Sequence, residues 1–274
     1  PAFFRSLSGT LALGEDVKPK AAYIRKNSLD YSQGRMIRDR LVKAGVPVTE
    51  IAPRGPIPFP SRKWQEMKGF LLVAVRQRGP FQSCRPSADY QLPLVSGCPG
   101  LCEYCYLHTR FGQRSYTTVY ANVEEILSWT GDYNAKETIV FEGSATSDPV
   151  PVNEWTSSLE QAITFFARQD GKRFRFVTKF HEVDPLLYLD NKQHTEIRFS
   201  VNTPVVIRQY ERGTPNLAKR LEAARRIREA GYPSGFLIAP ILANPTWKED
   251  YPKLVKAIAK TIDSQGDNIT FELI

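Results

Sequence analysis

From Tyr90 onward the sequence repeats one pattern: a short apolar run, then a longer helical stretch, then another apolar run. The strand-like runs are YQLPLVSG (90–97), TIVFEG (138–143), FRFVTK (174–179), EIRFSVN (196–202), GFLIAPI (235–241) and NITFELI (268–274). Between them lie VEEILSWT, WTSSLEQAITFFARQ, a shorter segment around VDPLLYL, LAKRLEAARRIREAG and WKEDYPKLVKAIAKTID. Strands alternating with helices call for a parallel sheet, because a parallel crossover must return along the sheet and a helix does so. Six such units close partway into a barrel, and barrels of this kind carry their reactive groups at the C-terminal strand ends. The predicted fold is α/β, a partial (β/α)6 barrel over residues 90–274.

A small α/β unit is predicted ahead of it, over residues 21–89. AAYIR (21–25) reads as a strand. SQGRMIRDRLVKAG (32–45) reads as a helix, with Met36, Ile37 and Leu41 on one face and Gly45 at the C-cap. VPVTEIAP and GFLLVAVR (69–76) are further strands, and the four prolines of PRGPIPFPSR (53–62) make a loop. Residues 1–20 read as a loosely ordered tail without a signal-peptide core. No apolar run approaches the ~18 residues of a membrane span. The expectation is a cytoplasmic protein with no membrane partner, and nothing in the pattern demands more than a monomer. Its net charge of +8 favours a polyanionic partner, of which nucleic acid is the commonest.

The polar residues at the strand ends would converge on one mouth. They are Ser96 with the loop after it, Glu142 to Asp148, Lys179, Ser200 with Asn202, and the residues after Ala239. Lys179 stands out, closing an otherwise buried-looking strand. The loop after Ser96 reads SGCPGLCEYCYLHTRFG and holds three of the four cysteines, Cys98, Cys102 and Cys105. Structural zinc takes four ligands, and His108 could complete a Cys3His set, giving a zinc-containing nucleic-acid-binding module. Iron–sulfur chemistry suits the spacing better. Three thiolates on a four-iron cube leave one iron open to chelate a further ligand.

This spacing, on the loop after the first barrel strand, resembles the signature of the radical S-adenosylmethionine superfamily. The segments RPSADYQLPLVSGC, CEYCYLHT, SYTTVYANVEEIL, FEGSATSD, FRFVTKFHEVDPLL, EIRFSVN, YERGTP, AGYPSGFLIAPI and ITFELI go further. In order, over roughly residues 21–274, they resemble the spore photoproduct lyase family of DNA-repair enzymes. The resemblance implies a [4Fe-4S] cluster on Cys98, Cys102 and Cys105. It implies S-adenosylmethionine contacted by Glu142, Ser147, Asp148, Lys179, Ser200 and the backbone at Ala239. Physically, Lys179 suits a carboxylate and the hydroxyls suit the ribose or methionine ends.

The implied reaction begins when a 5′-deoxyadenosyl radical takes hydrogen from C6 of a methylene-bridged thymine dimer. The bridging C–C bond then breaks, a cysteine quenches the resulting thyminyl radical, and Tyr104 and Tyr106 relay hydrogen onward. Partners implied are DNA with the dimer extruded from the stack and a reducing protein of flavodoxin or ferredoxin type. In the family the chain continues past FELI with a basic, aromatic-rich segment. Basic residues in CRPS, HTRFGQR and KRLEAARRIR are candidates for phosphate, the last equally a solvated helix face.

One position departs from the family. Ala145 stands where the donor cysteine belongs, and alanine has no hydrogen that can be donated at useful cost. Cys84 reads as a buried, inert thiol, although it or a tyrosine phenol could serve as a substitute donor. The departure implies a lyase variant impaired in final hydrogen donation, and it leaves open a radical S-adenosylmethionine relative acting on another nucleic-acid or small-molecule substrate.

Overall fold

The computed structural model describes residues 18–60, 63–262 and 269–274, so the predicted tail falls, up to residue 17, outside the described residues. The strands are β1 (Ala21–Arg25), β2 (Val48–Ile51), β3 (Phe70–Ala74), β4 (Ser83–Cys84), β5 (Ala88–Gln91), β6 (Val95–Ser96) and β7 (Leu101–Cys102). They continue as β8 (Thr117–Tyr120), β9 (Ile139–Glu142), β10 (Lys172–Thr178), β11 (Thr195–Val201), β12 (Glu211–Arg212), β13 (Ser234–Ile238) and β14 (Thr270–Leu273). The helices are α1 (Ser32–Lys43), α2 (Trp64–Met67), α3 (Leu107–Phe111), α4 (Val123–Ser128) and α5 (Asn153–Thr156). After these come α6 (Ser158–Phe166), α7 (Pro204–Tyr210), α8 (Leu217–Glu229) and α9 (Trp247–Ile262).

Side-chain alternation decides which face of each strand meets the helices. Along β10, Lys172, Phe174, Phe176 and Thr178 are buried on one face, while Arg175, Val177 and then Lys179 share the other. Along β11, Ile197 and Phe199 follow the first phase, and Glu196, Arg198 and Ser200 the second. The aromatic face packs under the helices: Phe166 of α6 stacks on Phe174 with ring centroids 5.4 Å apart and tilts against Phe141 at 5.6 Å. Burying each such ring contributes about 1.5–3 kcal/mol. The polar phase of the same strands is left to line the concave side.

These strands form a seven-stranded sheet in the order β14-β13-β11-β10-β9-β5-β4. Its six strands from β5 to β14 pair in parallel, as predicted for the partial barrel, and β4 adds as an antiparallel hairpin partner of β5. The sheet curls far enough for its edges to meet, since the Ser87 hydroxyl, in the β4–β5 turn, donates to Glu272 on β14 at 3.1 Å. A second sheet, β2-β1-β3-β8-β6, packs on the same continuous core. Among the described residues no helix is long and apolar enough to cross a membrane.

Three expectations need correction. YQLPLVSG is two strands in two sheets: β5 ends at Gln91 in the barrel, and β6 begins at Val95, antiparallel to β8. Pro93 lies between them, without an N–H for either ladder, and the chain crosses there. WTSSLEQAITFFARQ is likewise two helices, α5 and α6, broken at Ser157 in the left-handed region (φ 48°). VDPLLYL forms only a 3-10 turn over Asp184–Leu186.

Gly97 sits at the step from β6 into the cysteine loop. Its φ is +83°, and a Cβ there would lie 2.5 Å from the Tyr116 carbonyl oxygen. We expect Gly97→Ala to lower stability by about 1–3 kcal/mol, read as a shift in the urea midpoint. An unchanged midpoint would show that the loop accommodates a side chain.

Candidate active site

Gly97 also fixes the cysteine loop to a second loop. Its N–H donates to Thr146 O at 2.9 Å, and it forms a parallel bridge with Ser147. The loop is held again where β7 pairs antiparallel with β12, setting Cys102 opposite Glu211. A third tie is Lys68, buried, whose Nζ donates to the Cys98 carbonyl at 2.6 Å. Within the loop, the Cys105 N–H donates to Cys102 O and the His108 N–H to Cys105 O, each at 3.2 Å. The three thiols therefore sit on backbone pinned at several points.

All three cysteines line one cavity of about 470 Å³ on the concave side of the barrel. Ser147, Asp148, Lys179, Ser200 and Ala239 line it too, as do Tyr104, Tyr106, Glu142 and Ala145. The cavity thus brings together the predicted cluster, cofactor and relay residues, whereas Ser96, Asn202 and His108, also expected near the mouth, do not line it. Asp148 accepts from the Thr178 hydroxyl (2.8 Å) and from the N–H groups of Lys179 (2.9 Å) and Val150 (3.2 Å). Burial nevertheless raises its carboxyl to about 6, the donors pulling the other way. Lys179 donates to Ser200 Oγ at 2.7 Å and to Glu211 at 3.3 Å. The Tyr106 hydroxyl donates to the Ala145 carbonyl.

The donor set fits an iron–sulfur cluster. All four cysteines are free thiols. Among the described residues, no group of three or more His, Cys, Asp or Glu side chains closes tightly enough for a single metal ion. His108, the proposed fourth zinc ligand, stacks on Trp64 with ring centroids 3.7 Å apart. Without that imidazole three thiols remain, too few for a closed structural zinc site and the number that holds three irons of a four-iron cluster. Burial pushes the Cys98 thiol well up and Cys102 up to about 12, with Lys179 pulling Cys102 down. The thiolates are favoured once metal charge stands against them.

Glu142, predicted as a cofactor ligand, has its carboxylate engaged. It accepts from the Ser144 N–H (3.1 Å) and hydroxyl, from Arg175 Nε (3.0 Å) and from Arg198 (3.5 Å).

Three features were missed or undervalued in the sequence. Glu211, fully buried, accepts from the Tyr104 hydroxyl and pairs with both Lys179 and Arg220, the latter at 2.6 Å. Burial works against its ionisation, but Lys179 and Arg220 outweigh it and hold the carboxyl below its usual range. Arg220, part of KRLEAARRIR, is neither solvated nor available to phosphate. It is 0% exposed and also donates to the carbonyls of Ser200 and Pro215. Only the quoted YERGTP segment hinted at Glu211, and nothing in a basic helix marks one arginine as buried. The third feature is Cys84. It is half-buried and lines the same cavity as Ala145.

Glu211→Gln would leave Arg220 and Lys179 without their anion inside the protein, where a broken buried pair costs about 3–5 kcal/mol. We expect a loss of stability of that size in denaturant unfolding. A loss under about 1 kcal/mol, the range of an exposed pair, would show that solvent reaches the group.

A family model described as Spore photoproduct lyase matches residues 17–274. The spore photoproduct lyase of Clostridium acetobutylicum is 41% identical over 257 residues, covering 91% of this chain and 76% of its own. That of Bacillus subtilis (strain 168) is 38% identical over 265 residues, covering 93% and 78%. Among solved structures, one is a spore photoproduct lyase mutant with a cysteine-to-alanine and a serine-to-cysteine change, holding bound AdoMet and dinucleoside spore photoproduct. It matches with a TM-score of 0.87 at 37% identity, over 93% of this chain and 78% of that chain. Spore photoproduct lyase complexed with the dinucleoside lesion matches at a TM-score of 0.87 and 35% identity, over 92% and 77%. With a match of this extent and identity, the chain belongs to the spore photoproduct lyase family.

Proposed function

We propose that this protein reverses the spore photoproduct in DNA to two thymines, using a [4Fe-4S] cluster and S-adenosylmethionine. The observation that carries the reading is the convergence of Cys98, Cys102 and Cys105 with Ser147, Asp148, Lys179, Ser200 and Ala239 in one cavity. The bound cluster and cofactor supply a 5′-deoxyadenosyl radical. The three thiolates would hold three irons and leave the fourth for the cofactor. Lys179 and Ser200 form a paired cation and hydroxyl suited to its carboxylate. For Glu142, the bonds to Ser144, Arg175 and Arg198 support a part in shaping the cavity floor over direct contact with the methionine amino group.

Hydrogen return is assigned to Cys84. Once the methylene bridge has broken, one thymine is complete and the other carries an unpaired electron. Ala145 cannot quench it. The Cys84 S–H bond breaks homolytically, its hydrogen atom completes the thymine methyl, and a thiyl radical remains on sulfur. A phenol O–H of Tyr106 or Tyr104 then refills the thiol, leaving the unpaired electron on the ring. Such a donor must be a protonated thiol. Burial and the neighbouring Glu142 carboxylate push Cys84 above the usual thiol range, against Arg175 and Arg198.

We read residues 21–89 as mainly a supporting unit and 90–274 as mainly the catalytic barrel, a division in chain order that both sheets cross, since β4 and β5 join the barrel sheet while β6 and β8 join the other. Acting as a cytoplasmic monomer, the protein would take electrons from a small acidic flavodoxin or ferredoxin type of carrier. Its net charge of +8 suits that carrier and DNA alike.

Incubating the reduced, reconstituted protein with S-adenosylmethionine and the dinucleoside lesion should yield clean thymine. Formation of 5′-deoxyadenosine without loss of lesion would instead favour another substrate. Cys84→Ser should still consume lesion while clean thymine falls by roughly tenfold or more, because a positioned donor is replaced by random encounter. Adding Ala145→Cys to that variant should restore it. Full thymine yield from Cys84→Ser alone would end the assignment.

A further inference from the structure

Cys84 stands on an element that can hardly hold itself in place. β4 is two residues long, lies at the sheet edge, and shifts register against β5 between Ser83 and Cys84. Hydrogen-atom transfer demands a fixed donor, so something else must set the hairpin. The turn that follows is gripped from two sides. Arg175 donates to the Ser87 carbonyl, and the Ser87 hydroxyl donates to the Glu272 carboxylate at 3.1 and 3.4 Å.

The gripping groups brace one another. Arg175 is held by Glu142 at 3.0 Å and stands 3.9 Å from Glu196. Arg198 spans Glu272 at 2.7 Å and Glu142 at 3.5 Å. Hydrogen bonds to ionised groups such as these are the stronger and more directional kind. The other leg of the hairpin is tied by Asp89, which accepts from the Val140 N–H at 2.9 Å and pairs with Arg85 at 3.2 Å. Glu142 comes from the middle of the sheet and Glu272 from its far edge, so the turn is locked across the concave face. Cys84, Ser87, Glu142, Arg198 and Glu272 all line the cavity.

We propose that the Arg175–Glu142–Arg198–Glu272 network is a clamp that positions the Cys84 thiol by holding Ser87. Ser87 and Glu272 are positioning residues that act through Cys84. The inference rests on Cys84 being the hydrogen donor.

The test uses the reconstituted holoenzyme, in which the cluster shields the other three thiols. Two quantities are read in Ser87→Ala, Glu272→Gln and Ser87→Thr. One is clean thymine formed per 5′-deoxyadenosine. The other is the rate at which N-ethylmaleimide alkylates Cys84, followed by peptide mass spectrometry. Ser87→Ala and Glu272→Gln should lower the first, by up to about a hundredfold for a displacement near 1 Å, and raise the second. Ser87→Thr keeps the hydroxyl and should restore both. Ser87→Ala removes no charge, so it remains informative if Glu272→Gln does not fold. Wild-type values in Ser87→Ala, alongside loss of thymine in Cys84→Ser, would overturn the clamp and leave the donor standing. Wild-type thymine in Cys84→Ser would overturn the donor, and with it the catalytic purpose of the clamp.

Discussion

A single buried carboxylate, Glu211, ties together the parts of this site that come from distant stretches of chain. It takes the Tyr104 hydroxyl from the cysteine loop, Lys179 from the end of β10, and Arg220 from α8. Its own strand pairs with β7, which carries Cys102. A charge removed from water must be balanced by partners in good geometry, and this requirement makes the three elements converge on one point. The cluster loop is therefore referenced to the barrel through an electrostatic constraint as well as through its backbone ladder. Arg220 is what the arrangement requires of α8: a cation aimed inward, whereas Arg225 on the same helix is exposed and pairs with Glu222.

The concave face extends the same logic below that point. Because the polar phase of each strand faces inward, the barrel encloses ion pairs at its floor and hydroxyls, Lys179 and thiols at its mouth. The floor gives rigidity to a hairpin that lacks it, and the mouth presents the groups suited to a cofactor. On the proposed mechanism, the alanine at position 145 and the thiol of Cys84 belong together. One cavity holds both, and in the proposed function the residue that donates hydrogen changes place from position 145 to Cys84.

Much of this was legible in the sequence. The alternation of charge and aromatic in FRFVTK and EIRFSVN states which residues face the cavity, and the three-cysteine spacing states what the loop can ligate. YQLPLVSG was misleading because its apolar content suits a buried strand in either sheet, and only Pro93 betrays the crossing. The helix over WTSSLEQAITFFARQ broke at Ser157 because a left-handed serine carries no sequence mark of its own. Arg220 and Cys84 failed for a common reason. Their surroundings are built from residues far along the chain, Glu211 in one case and Glu142 with Glu272 in the other. No local pattern encodes such a neighbourhood.

On the proposed mechanism a protein thiol returns the hydrogen to the lesion. A thiol exchanges its proton with solvent, whereas a C–H bond of the lesion or cofactor does not. Turnover of unlabelled dinucleoside lesion in D2O, with the thymine product read by mass spectrometry, therefore tests the claim directly. One deuterium is expected in the methyl group of the repaired thymine. Product without deuterium would mean that hydrogen returns directly from carbon, and would contradict that claim.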